Sequence, residues 1–200
     1  HASDLDHQVA PFMLAGRAVD TDATPILMGV VNLSRDSAYR ESIAVGEASA
    51  VRKARVQVAQ GAHLIDIGAE SSRASAARVG VSEQERALIP VIEELSSTGV
   101  VVSVESYDPA LAAVGLKAGA SVLNLTGSAL DDEMFELAAS HGASAVLCNV
   151  LGAHARDLDG TTVEADPVPK LIDRFGERIQ RARELGVASV AIDPGLGFGF

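Results

Sequence analysis

The sequence predicts an α/β fold of the TIM type, a (β/α)8 barrel of which about six βα units lie in this chain. A short apolar run rich in β-branched residues ends in a polar residue six times, and segments with helical spacing alternate with these runs. Strands that alternate with helices pair in parallel through right-handed crossovers. The carboxyl ends of barrel strands share one rim, where the active site lies. We therefore expect these polar residues to gather there: Asn32, Asp66, Glu105, Asn124, Asn149 and Asp193.

The predicted strands cover residues 26–32, 63–68, 100–105, 121–125, 144–150 and 189–193. The predicted helices cover 47–60, 82–96, a segment that begins at Asp108-Pro109, 130–141 and 169–185. Gly61 and Gly119 end two of these helices, because glycine is favoured just after the last turn. Ser82 followed by Glu85 predicts a capping box at the start of the second helix. Asp108 predicts an N-cap, with proline in the first turn of the third helix.

The chain divides into a predicted N-terminal segment, residues 1–24, and a barrel domain, residues 25–200. The N-terminal segment is expected to form one hairpin around Met13 to Val19. The barrel domain is expected to be incomplete at its C-terminus, because the chain ends on a glycine-rich run after the sixth strand and a complete barrel has eight units. An open doubly wound sheet is the alternative architecture that the same alternation permits.

Composition restricts the classes of partner and the compartment. The chain has 200 residues and a formal net charge of -11, which disfavours non-specific binding to nucleic acid. It contains no apolar run of the length that spans a membrane, so no membrane partner is expected. Cys148 is the one cysteine, which excludes an internal disulfide and favours a reducing, cytoplasmic location. Cys148 is expected to be a buried, inert thiol.

One loop and one carboxylate carry much of the chemical signal, and each has two interpretations. Ser71-Ser72-Arg73 follows the second strand and could hold a phosphate or carboxylate, or it could be a solvated loop with a structural Arg–Glu contact. Asp193 could accept hydrogen bonds from a planar ligand, or it could cap the turn at Pro194-Gly195. Asp66 lies inside an apolar run and is expected to be buried and hydrogen-bonded. The histidines show no metal-ligand spacing and are interpreted as structural.

Four segments, in the same order and at similar spacing, resemble dihydropteroate synthases: residues 28–37, 65–73, 103–106 and 193–199. The resemblance covers the chain from about residue 26 to residue 200. It implies a TIM-type barrel that condenses a 6-hydroxymethyl-dihydropterin diphosphate with para-aminobenzoate and releases diphosphate, a step of folate biosynthesis. It also implies Mg2+ as the cofactor, the two small molecules as substrates, and a homodimer.

The resemblance also implies a role for individual residues of this sequence. Asn32 would hold magnesium and diphosphate, and Asp36 in the first loop and Arg73 in the second loop would be catalytic. The residues that would contact the substrates are Ser72, Arg73, Glu105, Asn124, Asp193 and Phe198. Ser72 and Arg73 would lie near aminobenzoate and diphosphate, and Phe198 beside the aminobenzoate ring. The remaining three would form the pterin pocket.

Several positions depart from the family pattern and keep other functions open. Glu105 stands where the family has a shorter aspartate, Leu125 stands where it has an aspartate, and residues 148–150 replace a Met-His-Met motif. One alternative is a pterin-binding paralogue without synthase activity. Another is a methyltransferase domain that passes a methyl group from a tetrahydropterin to a corrinoid protein. A diphosphate site has no use in a methyltransferase, so Asn32, Ser72 and Arg73 favour the synthase.

Overall fold

The computed structural model describes residues 8–34, 40–71, 76–157 and 166–196. An antiparallel hairpin, β1 (Phe12–Leu14) and β2 (Arg17–Val19), precedes a six-stranded parallel sheet. The strands of that sheet are β3 (Met28–Asn32), β4 (Leu64–Gly68), β5 (Val102–Ser106), β6 (Val122–Leu125), β7 (Ser144–Cys148) and β8 (Val190–Asp193). The helices are α1 (Glu47–Ala59), α2 (Val81–Ser97), α3 (Pro109–Lys117), α4 (Asp131–Ser140) and α5 (Val168–Glu184), and a short 3-10 helix covers Arg40–Ser42.

The order of the strands identifies the architecture as part of a barrel. Each strand from β3 to β7 pairs in parallel with the strand that follows it in the chain. A doubly wound sheet reverses its strand order at a switch point, and the described strands have no such reversal. The predicted barrel with six βα units is therefore confirmed, and the doubly wound alternative is wrong.

The two faces of the sheet differ in chemistry because side chains alternate along a strand. One face is apolar and packs with the helices into the main core, and its middle row is Val31, Ile67, Val104, Leu123 and Ala145. Leu125, which replaces an aspartate of the family pattern, is buried in the same core. The residues between these positions face the barrel interior, and several of them are polar.

Helix starts follow the sequence only in part. The predicted cap at Asp108 is confirmed, because its Oδ1 accepts a hydrogen bond from the Ala110 N–H at 2.8 Å. The predicted capping box at Ser82 is wrong. Helix α2 begins one residue earlier, with Gly80 at the N-cap and no side-chain cap, so Ser82 lies inside the first turn. The Gln84 side chain instead folds back and donates to the Val79 carbonyl at 2.9 Å.

The predicted N-terminal hairpin is confirmed and lies at the amino-terminal end of the sheet. The Ala15 N–H donates to Oγ of Ser144, the first residue of β7, at 3.0 Å. Arg17 reaches the Gly99 carbonyl, which precedes β5, at 3.5 Å. The hairpin therefore lies at the end of the sheet opposite the predicted active site. The division of the chain at residue 24 stays a prediction.

Two expectations from composition can be compared with the described residues. Cys148 is buried, as predicted. Within residues 8–34, 40–71, 76–157 and 166–196, no helix combines the length and the apolar character needed to cross a membrane.

Replacement of Phe135 tests the packing of the helical layer. This side chain is fully buried in the core between α4 and the sheet. We expect Phe135→Ala to lower the free energy of unfolding by about 3 to 5 kcal/mol in urea titrations, because it leaves a cavity. Ile172→Ala on the exposed part of α5, where Ile172 is 66% exposed, is the control and should change stability by less than about 0.5 kcal/mol. Equal losses in the two variants would contradict the described core.

Candidate active site

The strand register brings four residues of the inner face into one layer near the carboxyl end of the sheet. Asn32 pairs with Gly68, and Glu105 pairs with Asn124. Gly68 lies beside Glu105, because the preceding residues of the two strands, Ile67 and Val104, are paired. The prediction that Glu105 and Asn124 share one mouth is therefore confirmed.

Asp66, on β4, lies one layer deeper, and its carboxylate links β4 to β5 and β6. Its Oδ1 accepts a hydrogen bond from the Ser103 hydroxyl at 2.6 Å, and its Oδ2 accepts one from the Asn124 amide nitrogen at 3.1 Å. Burial raises the pKa of Asp66 to about 6, although both hydrogen bonds favour the charged form and act against this shift. Asp66 is thus buried and hydrogen-bonded, as its position in an apolar run predicts.

The contact with Asp66 fixes which end of the Asn124 amide is available to a ligand. Because the Nδ2 group donates to Asp66, Oδ1 must point elsewhere. This oxygen is buried and accepts no hydrogen bond from the part of the protein that the structure describes. A buried carbonyl oxygen without a donor costs free energy, and a ligand N–H would relieve that cost. Asn124 therefore presents an acceptor.

Glu105 has room for its longer side chain beside β4, because residue 68 has no side chain. Its Oε1 accepts a hydrogen bond from the Thr126 hydroxyl at 2.7 Å. Its Oε2 lies 2.5 Å from the position that a Cβ on residue 68 would occupy, so any larger residue there would force the Glu105 carboxylate to move. Burial, followed by the negative charges of Asp66 and Glu70, raises the pKa of Glu105 to about 7, against the effect of Thr126. Near neutral pH this group exists in both protonation states.

Asp193 serves the turn that follows β8 and also faces the same side of the sheet as Asn124. Its Oδ1 accepts a hydrogen bond from the Gly195 N–H at 2.8 Å, which is the turn-capping interpretation. Asn124 pairs with Val146 on β7, and Asp193 pairs with Cys148, two residues further along the same strand. Because side chains alternate between the two faces, Asp193 lies on the same face as Asn124, one layer nearer the carboxyl end. Burial and the neighbouring Asp193 carboxylate raise the pKa of the Cys148 thiol far above its ordinary value. A thiol that stays protonated is a poor nucleophile, which is compatible with the predicted inert role of Cys148.

Asn32 has the geometry of a residue that supports the first loop. Its Oδ1 accepts a hydrogen bond from the Ser34 N–H at 2.8 Å, and its backbone carbonyl accepts one from Ala44 at 2.9 Å. An amide oxygen has two lone pairs, so Oδ1 is a hard oxygen ligand that magnesium accepts even with the Ser34 bond in place. The described residues contain no group of three His, Cys, Asp or Glu that could hold a metal. A magnesium ion at Asn32 therefore needs phosphate and water oxygens, which is its usual environment.

Four of the predicted site residues lie outside the described residues: Asp36, Ser72, Arg73 and Phe198. Their predicted roles are neither supported nor opposed by the geometry. The roles of Asn32, Glu105, Asn124 and Asp193 also stay predictions, although the positions of these four residues are described.

Sequence reasoning missed a polar cluster at the same rim, next to Glu105. The Tyr107 hydroxyl donates to Glu70 Oε2 at 2.5 Å, and Arg78 donates to that hydroxyl at 2.5 Å. Burial and the Glu70 carboxylate raise the pKa of Tyr107 to about 12. These residues and Glu105 line a cleft of about 190 Å³. The available signal was spacing, because Tyr107 follows Glu105 by two residues and so continues the same face.

Comparison with known proteins agrees with this geometry. The family described as "Pterin binding enzyme" matches residues 28–200. The chain belongs to this family. It is 34% identical over 203 residues to a probable bifunctional folylpolyglutamate synthase/dihydropteroate synthase of Haloferax volcanii, covering 99% of this chain and 23% of that protein. It is 33% identical to the dihydropteroate synthase of Bacillus subtilis, covering 86% of this chain and 59% of the relative.

A solved structure supports the same family membership. The dihydropteroate synthase of Thermus thermophilus in complex with 4-aminobenzoate aligns with a TM-score of 0.79 and 36% identity. The alignment covers 95% of this chain and 68% of that structure. The chain thus spans about a quarter of the haloarchaeal bifunctional protein and about three fifths of the Bacillus enzyme.

The raised pKa of Glu105 predicts a specific dependence of stability on pH. The pKa is about 7 in the folded protein and 4.5 for an ordinary glutamate, so between these values the folded protein binds a proton that the unfolded chain has lost. The free energy of unfolding therefore falls as the pH rises through this window. Glu105→Gln removes this pH dependence. The free energy of unfolding of the variant, relative to that of the wild type, should therefore rise by about 3 kcal/mol as the pH is raised from about 4 to about 8.

Urea titrations across that pH range measure the difference directly. Glu94→Gln is the control, because Glu94 is half exposed in an ion pair with Arg55. It should show a difference of less than about 1 kcal/mol. A constant difference between Glu105→Gln and the wild type at all pH values would contradict the described burial of Glu105.

Proposed function

We propose that this protein is a transferase of the dihydropteroate synthase type. Its substrates are a 6-hydroxymethyl-dihydropterin diphosphate and para-aminobenzoate, and its second product is diphosphate. Membership of the pterin binding family supports this proposal, and one observation carries it within the site. The Asn124 Oδ1 is a buried acceptor without a donor among the described residues, held in one orientation by Asp66, at the rim where barrels carry out their chemistry.

The proposed pterin site recognises one edge of a flat heterocycle through its N–H donors. Asn124 supplies an amide oxygen and Asp193 a carboxylate, on the same side of the sheet. Glu105 lies beside Asn124, and its pKa of about 7 allows it either to accept or to donate a hydrogen bond near neutral pH. A mixture of fixed acceptors and one adaptable carboxyl group favours a polar bicyclic ring over an apolar one.

The proposed reaction needs positioning and charge stabilisation but no covalent intermediate with the protein. The bond between the pterin methylene carbon and the diphosphate oxygen breaks, and the electron pair leaves with diphosphate. The aminobenzoate nitrogen forms the new bond to that carbon and then loses a proton. We assign Arg73 to stabilise the leaving diphosphate, Ser72 to hold a substrate oxygen, and Phe198 to contact the aromatic ring. Asp36 belongs to the first loop, which we propose excludes water from this step.

Magnesium is the proposed cofactor, with Asn32 as its ligand from this chain. When bound, the ion would neutralise negative charge on the diphosphate. Asn32 supports this role because its oxygen is a hard ligand at the rim of the sheet, between the first loop and β4. We further propose a homodimer in the cytoplasm. The family resemblance supports the dimer, and the single, buried cysteine is compatible with a reducing compartment.

A pterin-binding paralogue without synthase activity is the second candidate. Asn149 stands where the family motif has histidine, and its side chain is engaged with the protein itself. Its Oδ1 accepts a hydrogen bond from Arg174 at 2.6 Å, and its Nδ2 donates to the Pro194 carbonyl at 3.4 Å. A side chain used in this way holds the turn after β8 in place of contacting a substrate.

Turnover by the full-length protein separates the two candidates. We expect the protein to convert pterin diphosphate and para-aminobenzoate, in the presence of magnesium, to dihydropteroate. One diphosphate should be released for each dihydropteroate formed, and dihydropteroate can be followed by chromatography. Binding of 6-hydroxymethylpterin measured by calorimetry serves as the second readout. Pterin binding without any product would overturn the synthase proposal in favour of the paralogue, and no pterin binding would overturn both.

Asn124→Ala should lower the affinity for 6-hydroxymethylpterin by about tenfold to a hundredfold, because it removes the acceptor. Gln180→Ala is the matched control, since it removes an exposed amide that bonds only Glu184 among the contacts described for its side chain. The control should bind with unchanged affinity. Unchanged affinity in Asn124→Ala as well would remove Asn124 from the pocket.

A further inference from the structure

Arg156, in the loop after β7, joins two loops of the active-site rim. Its side chain is only 3% exposed. Nη1 donates to the Ser71 carbonyl at 2.5 Å, and Nη2 donates to the Ala76 carbonyl at 2.6 Å. One guanidinium therefore binds the backbone on both sides of the segment 72–75, which carries Ser72 and Arg73.

The backbone that carries Arg156 is held by hydrogen bonds of its own, which restricts the position of the guanidinium. The Ala155 N–H donates to the Thr126 carbonyl at 2.7 Å, and the Arg156 N–H donates to His154 Nδ1 at 3.2 Å. The His154 ring stacks on Tyr107 with 4.2 Å between the ring centres. The short loop from 154 to 156 is thereby held against the ends of β5 and β6.

Glu70 provides the charge that makes this burial possible. Its Oε2 lies 3.7 Å from Arg156 Nε, and its Oε1 accepts a hydrogen bond from the Val79 N–H at 3.1 Å. A buried charge is tolerated only when a partner offsets its desolvation, so the guanidinium and this carboxylate depend on each other. Glu70 and Arg156 together join the two ends of the loop from 70 to 79.

Lysine cannot reproduce this arrangement. Two carbonyl oxygens accept hydrogen bonds from the two terminal nitrogens of one planar group, whose donors point in fixed directions, whereas an ammonium is a point charge on a flexible stem. The arrangement is therefore specific to arginine. Its buried bonds end on the backbone that flanks the proposed diphosphate-binding residues, which gives the interaction a functional consequence.

We propose that Arg156 is a positioning residue that fixes the ends of the Ser72–Arg73 segment for reaction with the second substrate. This inference rests on the proposed synthase function, and it adds a residue that does not touch either substrate. Arg156→Lys keeps the positive charge next to Glu70 but loses the two-pronged contact. Arg55→Lys is the matched control, because Arg55 is half exposed and its described side-chain contact is an ion pair with Glu94.

Steady-state kinetics of the full-length enzyme provide the first test. Arg156→Lys should lower kcat/KM for para-aminobenzoate by about tenfold to a hundredfold, because misplacement of a binding group by about 1 Å has an effect of this size. The affinity of Arg156→Lys for 6-hydroxymethylpterin, which lacks the diphosphate, should stay within about twofold of the wild type. In Arg55→Lys, both this affinity and kcat/KM for para-aminobenzoate should stay within about twofold of the wild type. Parallel losses of pterin affinity and kcat/KM would indicate general damage and overturn the positioning role.

Hydrogen exchange provides a readout that does not need activity. Peptides covering residues 70–79 should exchange faster in Arg156→Lys than in the wild type, and peptides from α1 should not change. Unchanged exchange at 70–79 would overturn the proposal, even if activity falls. Faster exchange at residues 70–79 in Arg156→Lys, with kcat/KM for para-aminobenzoate unchanged, would show that Arg156 holds the loop but does not affect reaction with the second substrate, and would overturn the proposal. An inactive wild type would reject the synthase function, whereas the exchange result would still decide whether Arg156 holds this loop.

Discussion

A carboxylate buried inside a parallel sheet must be hydrogen-bonded, and the way Asp66 meets this requirement organises the barrel interior. Its two oxygens accept one bond from Ser103 on β5 and one from Asn124 on β6. The second bond turns the Asn124 amide so that its oxygen is left without a donor among the described residues. The structure thereby carries an unsatisfied acceptor in the free protein, which is an arrangement that ligand binding can relieve.

The two faces of the sheet divide the work between stability and function. The outer face is apolar and packs against the helices, while the inner face holds Asp66, Glu105 and Asn124 close together. Burial raises the pKa of both carboxylates, which means that the folded state is less stable when they are charged. The hydrophobic layer must offset that cost. Such a conflict between local stability and site chemistry is typical of functional sites.

The sequence was most informative where a physical rule acts along the chain. Their places at the ends of adjacent predicted strands predicted that Glu105 and Asn124 face one mouth of the barrel, and an apolar setting predicted that Asp66 is buried. The capping-box pattern gave a wrong helix start at Ser82, because the N-cap of α2 is Gly80. An N-cap depends on backbone angles, which residue types alone do not specify. The room that Gly68 leaves for Glu105 and the contacts of Arg156 with Ser71 and Ala76 join residues distant in the chain, so no local pattern could reveal them.

The most direct test of the central claim is a crystal structure of the protein with 6-hydroxymethylpterin. We expect the ring to bind at the carboxyl end of the sheet and a ring N–H or amino group to donate to Asn124 Oδ1 at about 2.7 to 3.2 Å, while Asn124 Nδ2 remains bonded to Asp66. A pterin bound at another place, or bound with Asn124 Oδ1 still without a donor, would contradict the central claim.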